Sequence, residues 1–137
     1  MMKGKFITLE GGEGCGKSTN LIFIEQWLKD KGISVVTTRE PRGTVFAENI
    51  RQLNVQGNIK LDLTLLLDTP VAIGMDRVSK RGELDRFELE KQAFFEQVRA
   101  TYLFRTENNP ETIKIINAAQ SLEKVQQEII SVIRRIL

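Results

Sequence analysis

The chain has 137 residues, 41% apolar and 28% charged, a composition that predicts one globular domain with a core and leaves no room for a second domain. Twenty basic and eighteen acidic side chains give a formal charge of +2, which argues against nucleic acid or an anionic membrane as the main partner. There is no histidine, which excludes imidazole catalysis and most zinc chemistry. A single cysteine excludes an internal disulfide, and without a long apolar N-terminal run we expect a cytoplasmic protein.

The first third of the chain predicts a strand, a helix and a second strand. Residues 5–10 predict a buried strand around the apolar run at 6–9. Residues 18–31 carry apolar side chains at helical spacing and end at Gly32, a residue that commonly terminates helices. Residues 33–38 are rich in β-branched side chains and predict the second strand. This order is typical of the start of a parallel sheet.

The remainder of the chain continues the alternation. Helices are predicted at residues 44–53, 71–80, 85 to about 104, and from 122 onward, with Asp85 and Ser121 as N-caps of the last two. Strands are predicted at 61–67 and 112–116, and residues 54–60 are polar and irregular. The final helix has an apolar face made by Leu122, Val125, Ile129, Val132 and Ile136. Alternating strands and helices predict a doubly wound sheet that binds its ligand at the carboxyl ends of the strands.

A glycine-rich motif, G-x-x-x-x-G-K-S, lies between the first strand and the first helix. Its glycines allow the backbone to wrap around a polyphosphate, and the N-terminus of the following helix adds partial positive charge. Lys17 would reach the β- and γ-phosphates of a nucleoside triphosphate, and the Ser18 hydroxyl would bind Mg²⁺. The alternative is a purely structural turn. The predicted phosphate contacts are Gly11, Gly12, Glu13, Gly14, Cys15, Gly16, Lys17, Ser18 and Thr19.

Four separated blocks of sequence resemble the bacterial thymidylate kinase family. They are E-G-G-E-G-C-G-K-S-T at 10–19, T-R-E-P-R-G-T at 38–44, D-L-T-L-L-L-D at 62–68 and R-G-E-L-D-R-F-E at 81–88. The resemblance implies a P-loop NTPase-type, three-layer α/β/α parallel sheet of the nucleoside monophosphate kinase kind. It also implies ATP as phosphoryl donor, Mg²⁺ as the required ion, dTMP as acceptor, dTDP as product, and a homodimer.

The resemblance also suggests roles for residues outside the phosphate motif. It implies that Glu13 contacts the 3′-hydroxyl of dTMP, that Arg39 and Arg51 lie near its phosphate, and that Pro41 fixes the turn between them. It implies a lid at about residues 77–86, in which Arg81 closes over the transferring phosphoryl group. Glu13 could instead be an exposed loop carboxylate, and Arg51 a solvated surface arginine.

Three further side chains are singled out, two of them with two interpretations. Asp68 ends an apolar strand, so it is either a Walker-B-like ligand of a Mg²⁺-bound water or a strand-terminating carboxylate. Asn117 begins a segment that resembles the one beside adenine in the family. Cys15 is either a small filler in the phosphate loop or a redox-sensitive thiol. The pair Phe94 and Phe95 predicts core packing at helical spacing.

One departure from the family lies between residues 53 and 61. The family carries a longer segment there, with two helices, a central strand and an Asp-Arg pair, so we expect a sheet that lacks one central strand. Three explanations remain open: a sequence that omits residues the protein carries, a truncated or degenerate homologue, and a rearranged minimal kinase. The rival functions are nucleotide binding without turnover and a GTPase-type switch, although residues 68–71 lack the Asp-x-x-Gly pattern of such switches.

Overall fold

The structure is a computed structural model that describes residues 4–12, 14–38, 61–80 and 88–137, with residues 79–80 and 88–91 as backbone only. The described elements alternate between strand and helix, as the sequence predicts. In chain order they are β1 (Ile7–Gly11), α1 (Lys17–Asp30), β2 (Leu63–Asp68), α2 (Val71–Lys80), α3 (Glu88–Asn108), β3 (Ile113–Asn117) and α4 (Leu122–Arg134).

The three strands form one parallel sheet in the order β1-β2-β3. Gly11 at the end of β1 is in register with Leu67, and Asp68 at the end of β2 is in register with Asn117. Helices α1 and α4 pack on one face of the sheet, and α2 packs with α3 on the other. The predicted three-layer α/β/α architecture is therefore confirmed, with all carboxyl strand ends on the same edge.

The predicted strand at residues 33–38 is wrong. The structure assigns no strand there, although Ile33 and Val35 pack partly buried against the core and Val36 is 94% exposed. A β-branched run becomes a strand only when a neighbouring strand pairs with its backbone, because β propensity mainly reflects packing on a paired surface. The central strand that the resemblance places between this run and β1 is the one that the sequence lacks. Among the described residues, β1 is accordingly paired on one edge only.

The main core lies between the sheet and the α1–α4 layer. Alternate β2 residues Leu63, Leu65 and Leu67 are almost fully buried there. They meet Ile24 and Leu28 of α1 and three residues of α4, which are Val125, Ile129 and Ile133. Two details of the sequence prediction, one on each face of the sheet, are wrong.

Leu122 was predicted in the apolar face of the last helix but is 50% exposed, whereas the unpredicted Ile133 is fully buried. Phe94 is 60% exposed and contacts Phe95 at a ring-centroid distance of 5.7 Å, so the predicted core packing of this pair is wrong for Phe94. Leu122 is the first residue of the helix. The Ser121 cap itself is confirmed, since its hydroxyl accepts a hydrogen bond from the Lys124 N–H.

Cys15 belongs to this core although it lies within the glycine-rich loop. Only 3% of the residue is exposed, and burial raises the pKa of its thiol. Raising the thiol pKa lowers the thiolate fraction, which is the reactive form. The filler interpretation is thus the one that the geometry supports. Within the described ranges, no helix is long and apolar enough to cross a membrane.

The buried β2 face predicts a large difference between two leucine truncations. Leu65→Ala should lower the free energy of unfolding by about 2–5 kcal/mol, because it leaves a cavity between the sheet and two helices. The control Leu122→Ala should lower it by less than about 0.5 kcal/mol, since that side chain is half exposed. Urea denaturation measures both, and equal losses would contradict the described core.

The buried thiol predicts slow labelling. Cys15 in the native protein should react with a thiol reagent at neutral pH far more slowly than in the urea-unfolded protein. Its folded pKa lies above the unfolded value of about 8.5. The stability that the neutral thiol contributes is therefore complete below pH ~8.5 and is lost as pH rises through the folded pKa. This part of the pH dependence should be absent in Cys15→Ala, and rapid native labelling at pH 7 would contradict the burial.

Candidate nucleotide site

The glycine-rich loop connects β1 to α1 at the carboxyl edge of the sheet, where the doubly wound topology places a ligand. Gly14 and Gly16 both adopt left-handed backbone angles, with φ of 72° and 88°. A side chain on Gly14 would strike the backbone of Gly74 in α2, and Gly16 is the N-cap of α1. The loop therefore requires glycine at these two positions for its conformation and its close packing.

The N-terminus of α1 is open towards the loop. Its N-cap, Gly16, has no side chain to accept a hydrogen bond, and no acidic residue occupies the first turn. Backbone N–H groups in a first helical turn have no partner within the helix, and they carry the positive end of the helix dipole. Lys17, Ser18 and Thr19 make up this turn and are exposed. The arrangement offers several donors to an anion.

Lys17 already lies over the loop. Its Nζ donates a hydrogen bond to the Gly11 carbonyl oxygen at 2.9 Å, so the side chain turns back from the first residue of α1 to the last residue of β1. The ammonium group thereby bridges the two ends of the loop. A polyphosphate in the loop would meet both this charge and the backbone donors.

Arg77 contacts the same loop from the side of α2. From α2, its Nη1 donates to the Gly14 carbonyl at 3.0 Å and its Nη2 donates to the Ala118 carbonyl at 2.8 Å. The sequence places Arg77 only at the start of the predicted lid, with no indication of these contacts. The two contacts join residues that are 63 and 41 positions apart in the sequence, and no local spacing signals such a contact.

Asp68 forms an ion pair with Arg99 of α3. Nε and Nη2 of Arg99 donate to the two carboxylate oxygens of Asp68 at 2.9 and 3.1 Å, and hydrogen bonding to Asp68 raises the pKa of Arg99. Two parallel hydrogen bonds fix both side chains more firmly than a single contact. Sequence reasoning identified Asp68 but missed Arg99, because an arginine on the face of a long helix carries no motif.

A cavity of about 30 Å³ lies between the loop and this ion pair. Its lining includes Gly12, Asp68, Thr69, Arg99 and Tyr102. The Thr69 hydroxyl is buried without a hydrogen-bond partner among the described residues, and burial raises the pKa of Tyr102. The volume suffices for a water molecule.

Five predicted site residues lie outside the described residues: Glu13, Arg39, Pro41, Arg51 and Arg81. Their roles stay predictions. Asn117 is described, and its Oδ1 accepts a hydrogen bond from the Ala119 N–H at 3.0 Å, so its side chain shapes the turn after β3. This turn carries the Ala118 carbonyl that Arg77 holds.

The family model described as Thymidylate kinase matches the chain in two pieces, residues 9–61 and 53–129. The two pieces overlap at the position where the sequence comparison places a missing segment. Together the two pieces span residues 9–129 of the chain.

Two curated relatives also match nearly the whole chain. A protein of Pseudomonas putida named Thymidylate kinase is 35% identical over 205 aligned positions, covering 99% of this chain and 98% of the relative. A protein of Pseudomonas fluorescens with the same name is 36% identical over 197 positions, covering 93% of this chain and 94% of the relative. Since 205 positions exceed 137 residues by 68, at least 68 positions of the first alignment have no residue of this chain opposite them. With most of its length matched by the family model and by these relatives, the chain belongs to the thymidylate kinase family.

Proposed function

We propose that this chain binds ATP with Mg²⁺ in the loop between β1 and α1 and transfers the γ-phosphoryl group to dTMP, giving dTDP. The observation that carries the proposal is the Lys17 ammonium, held 2.9 Å from the Gly11 carbonyl across a loop that opens onto an uncapped helix N-terminus. Membership of the thymidylate kinase family supports the reaction and the acceptor.

The described residues act by positioning and by charge. Phosphoryl transfer needs little covalent chemistry from the protein, because catalysis comes mostly from alignment and from stabilising charge on the transferring group. The backbone N–H groups at the start of α1 would hold the donor phosphates, and Lys17 would exchange its contact with Gly11 for the β- and γ-phosphate oxygens. Gly11, Gly12, Gly14, Cys15, Gly16 and Thr19 complete the proposed donor site.

Ser18 is the residue proposed to hold Mg²⁺. Its hydroxyl is exposed in the first turn of α1, directly after Lys17, which suits a hard cation shared with the phosphates. Bound there, the ion would neutralise charge on the β- and γ-phosphates. Asp68 is the less suitable ligand, because both of its oxygens accept from Arg99.

The acceptor site is proposed from the resemblance alone. Glu13 would contact the 3′-hydroxyl of dTMP, Arg39 and Arg51 its phosphate, and Pro41 would fix the turn that carries them. Arg81 would close over the transferring group from the lid. A homodimer in the cytoplasm remains the expectation for the assembly and its location.

Lysine substitution tests the donor site. Lys17→Met should reduce kcat/KM for ATP by about a hundredfold or more, since it removes the ammonium charge that lies across the loop. Lys29→Met is a matched control on the same helix, where the lysine is 51% exposed and pairs with Glu25, and it should leave activity unchanged. A coupled assay of ADP formation with ATP, dTMP and Mg²⁺ measures both. Equal activity in wild type and Lys17→Met would contradict the proposal.

A second candidate function, nucleotide binding without turnover, is favoured by the missing segment. At least 68 aligned positions of a relative are absent here, and among the described residues no strand pairs with the run at 33–38. Calorimetry that detects Mg²⁺-dependent ATP binding, together with an assay that detects no ADP, would establish this second function. The intact mass of the purified protein, compared with 15.6 kDa, tests whether the protein carries residues that the sequence omits.

The ion pair at the end of β2 can be tested separately. Asp68→Asn should lower the unfolding free energy by about 1–3 kcal/mol, because it leaves a partly buried guanidinium without its charged partner. It should leave the Mg²⁺ concentration for half-maximal ATP binding unchanged. A several-fold rise in that concentration, with stability unaltered, would instead indicate that Asp68 helps to hold Mg²⁺.

A further inference from the structure

Arg77 contacts two loops at the nucleotide edge of the sheet that are not neighbours in the fold. One contact is with Gly14 in the glycine-rich loop after β1, and the other is with Ala118 in the turn after β3. Because β2 lies between β1 and β3, these loops share no strand pairing. A single guanidinium group therefore connects the phosphate loop to the far side of the site.

The contact with Gly14 fixes the orientation of a peptide plane. The carbonyl of Gly14 and the N–H of Cys15 belong to one trans peptide and point in opposite directions. When Arg77 holds the carbonyl towards α2, the Cys15 N–H faces away from α2. This orientation matters because backbone N–H groups are the donors that such a loop offers to phosphate.

The packing of α2 reinforces the same orientation. Gly74 lies one turn before Arg77 on the same face of α2, and its own N–H donates to the Pro70 carbonyl at 3.1 Å. A Cβ on Gly14 would collide with the Gly74 carbonyl and Cα, so the two backbones are in direct contact. The loop is thus pressed against α2 and hydrogen-bonded to it at the same residue.

The Ala118 end of the connection is rigid. Ala118 is 2% exposed, and its N–H donates to the Asp68 carbonyl at 2.8 Å. Asp68 in turn pairs with Arg99. Arg77 therefore links the glycine-rich loop to a part of the fold that is fixed by backbone hydrogen bonds and an ion pair.

We infer that Arg77 is a positioning residue that holds the glycine-rich loop in its anion-binding conformation by bridging the Gly14 and Ala118 carbonyls, rather than by contacting the nucleoside. The inference rests on the proposed function, since it assigns a role in the same donor site. An arginine suits the task because its planar fork donates from two separate nitrogens at once. A lysine has its donors on a single nitrogen and lacks this fork, so it should hold the pair of carbonyls less firmly.

Calorimetry with two ligands tests the inference. In the presence of Mg²⁺, Arg77→Met should weaken binding of ATP and of inorganic tripolyphosphate by about the same factor, roughly tenfold, because both ligands use the loop. Arg77→Lys should recover part of this loss. The matched control is Arg135→Met, at the exposed end of α4, which should bind both ligands as the wild type does. A melting curve for each variant checks that it is folded.

The outcomes are separable. Unchanged affinity of Arg77→Met for both ligands, in a wild type that binds them, overturns the inference and leaves the proposed function intact. A loss confined to ATP also overturns it, since that result indicates direct contact with the nucleoside. A wild type that binds neither ligand overturns the proposed function itself. If Arg77→Met does not fold, Arg77→Lys is compared with the wild type instead. Wild-type affinity for tripolyphosphate in Arg77→Lys then overturns the inference.

Discussion

The parallel hydrogen bonds between β1 and β2 bring Gly11 and Leu67 into register, and this pairing determines where every described part of the site can lie. It places the start of the glycine-rich loop beside the end of β2, from which α2 begins three residues later. Because α2 starts there, Gly74 can press against Gly14 and Arg77 can reach its carbonyl. The same strand end brings Asp68 to Arg99. Strand pairing therefore sets the positions of the site residues, and the glycine-rich motif sets the conformation of the loop.

The sequence predicts those features that depend on local physics. The loop motif, the Ser121 cap and the helix at 71–80 follow from residue types within a few positions of one another, and the structure reproduces the bounds of that helix at Val71 and Lys80. The contacts of Arg77 and Arg99 could not be predicted, since each joins residues at least 31 positions apart through the tertiary fold. An arginine in an amphipathic helix has the same sequence signal whether it faces solvent or a carbonyl.

The failure of the predicted strand at 33–38 has a different cause. Its β-branched composition has a genuine preference for pleated backbone, yet composition alone cannot supply the neighbouring strand with which it would hydrogen-bond. The comparison with a curated relative bears on the missing neighbour, because at least 68 of its aligned positions have no residue of this chain opposite them. Ile33 and Val35 still pack against the core, so the apolar side of the run retains its role while the strand pairing is lost.

The distribution of positive charge near the loop constrains how this site could act on phosphate. Arg77 donates to two carbonyls and Arg99 to a carboxylate, so among the described arginines at this edge both serve the architecture of the site. Lys17 differs from them, because the hydrogen bond that the structure describes for it is with a loop carbonyl, which phosphate oxygens could replace without leaving a buried charge. Charge on a transferring phosphoryl group would then be met first by Lys17 and the α1 terminus. A second cation would have to be the proposed Mg²⁺ or come from residues outside the described ranges, where the role of Arg81 stays a prediction.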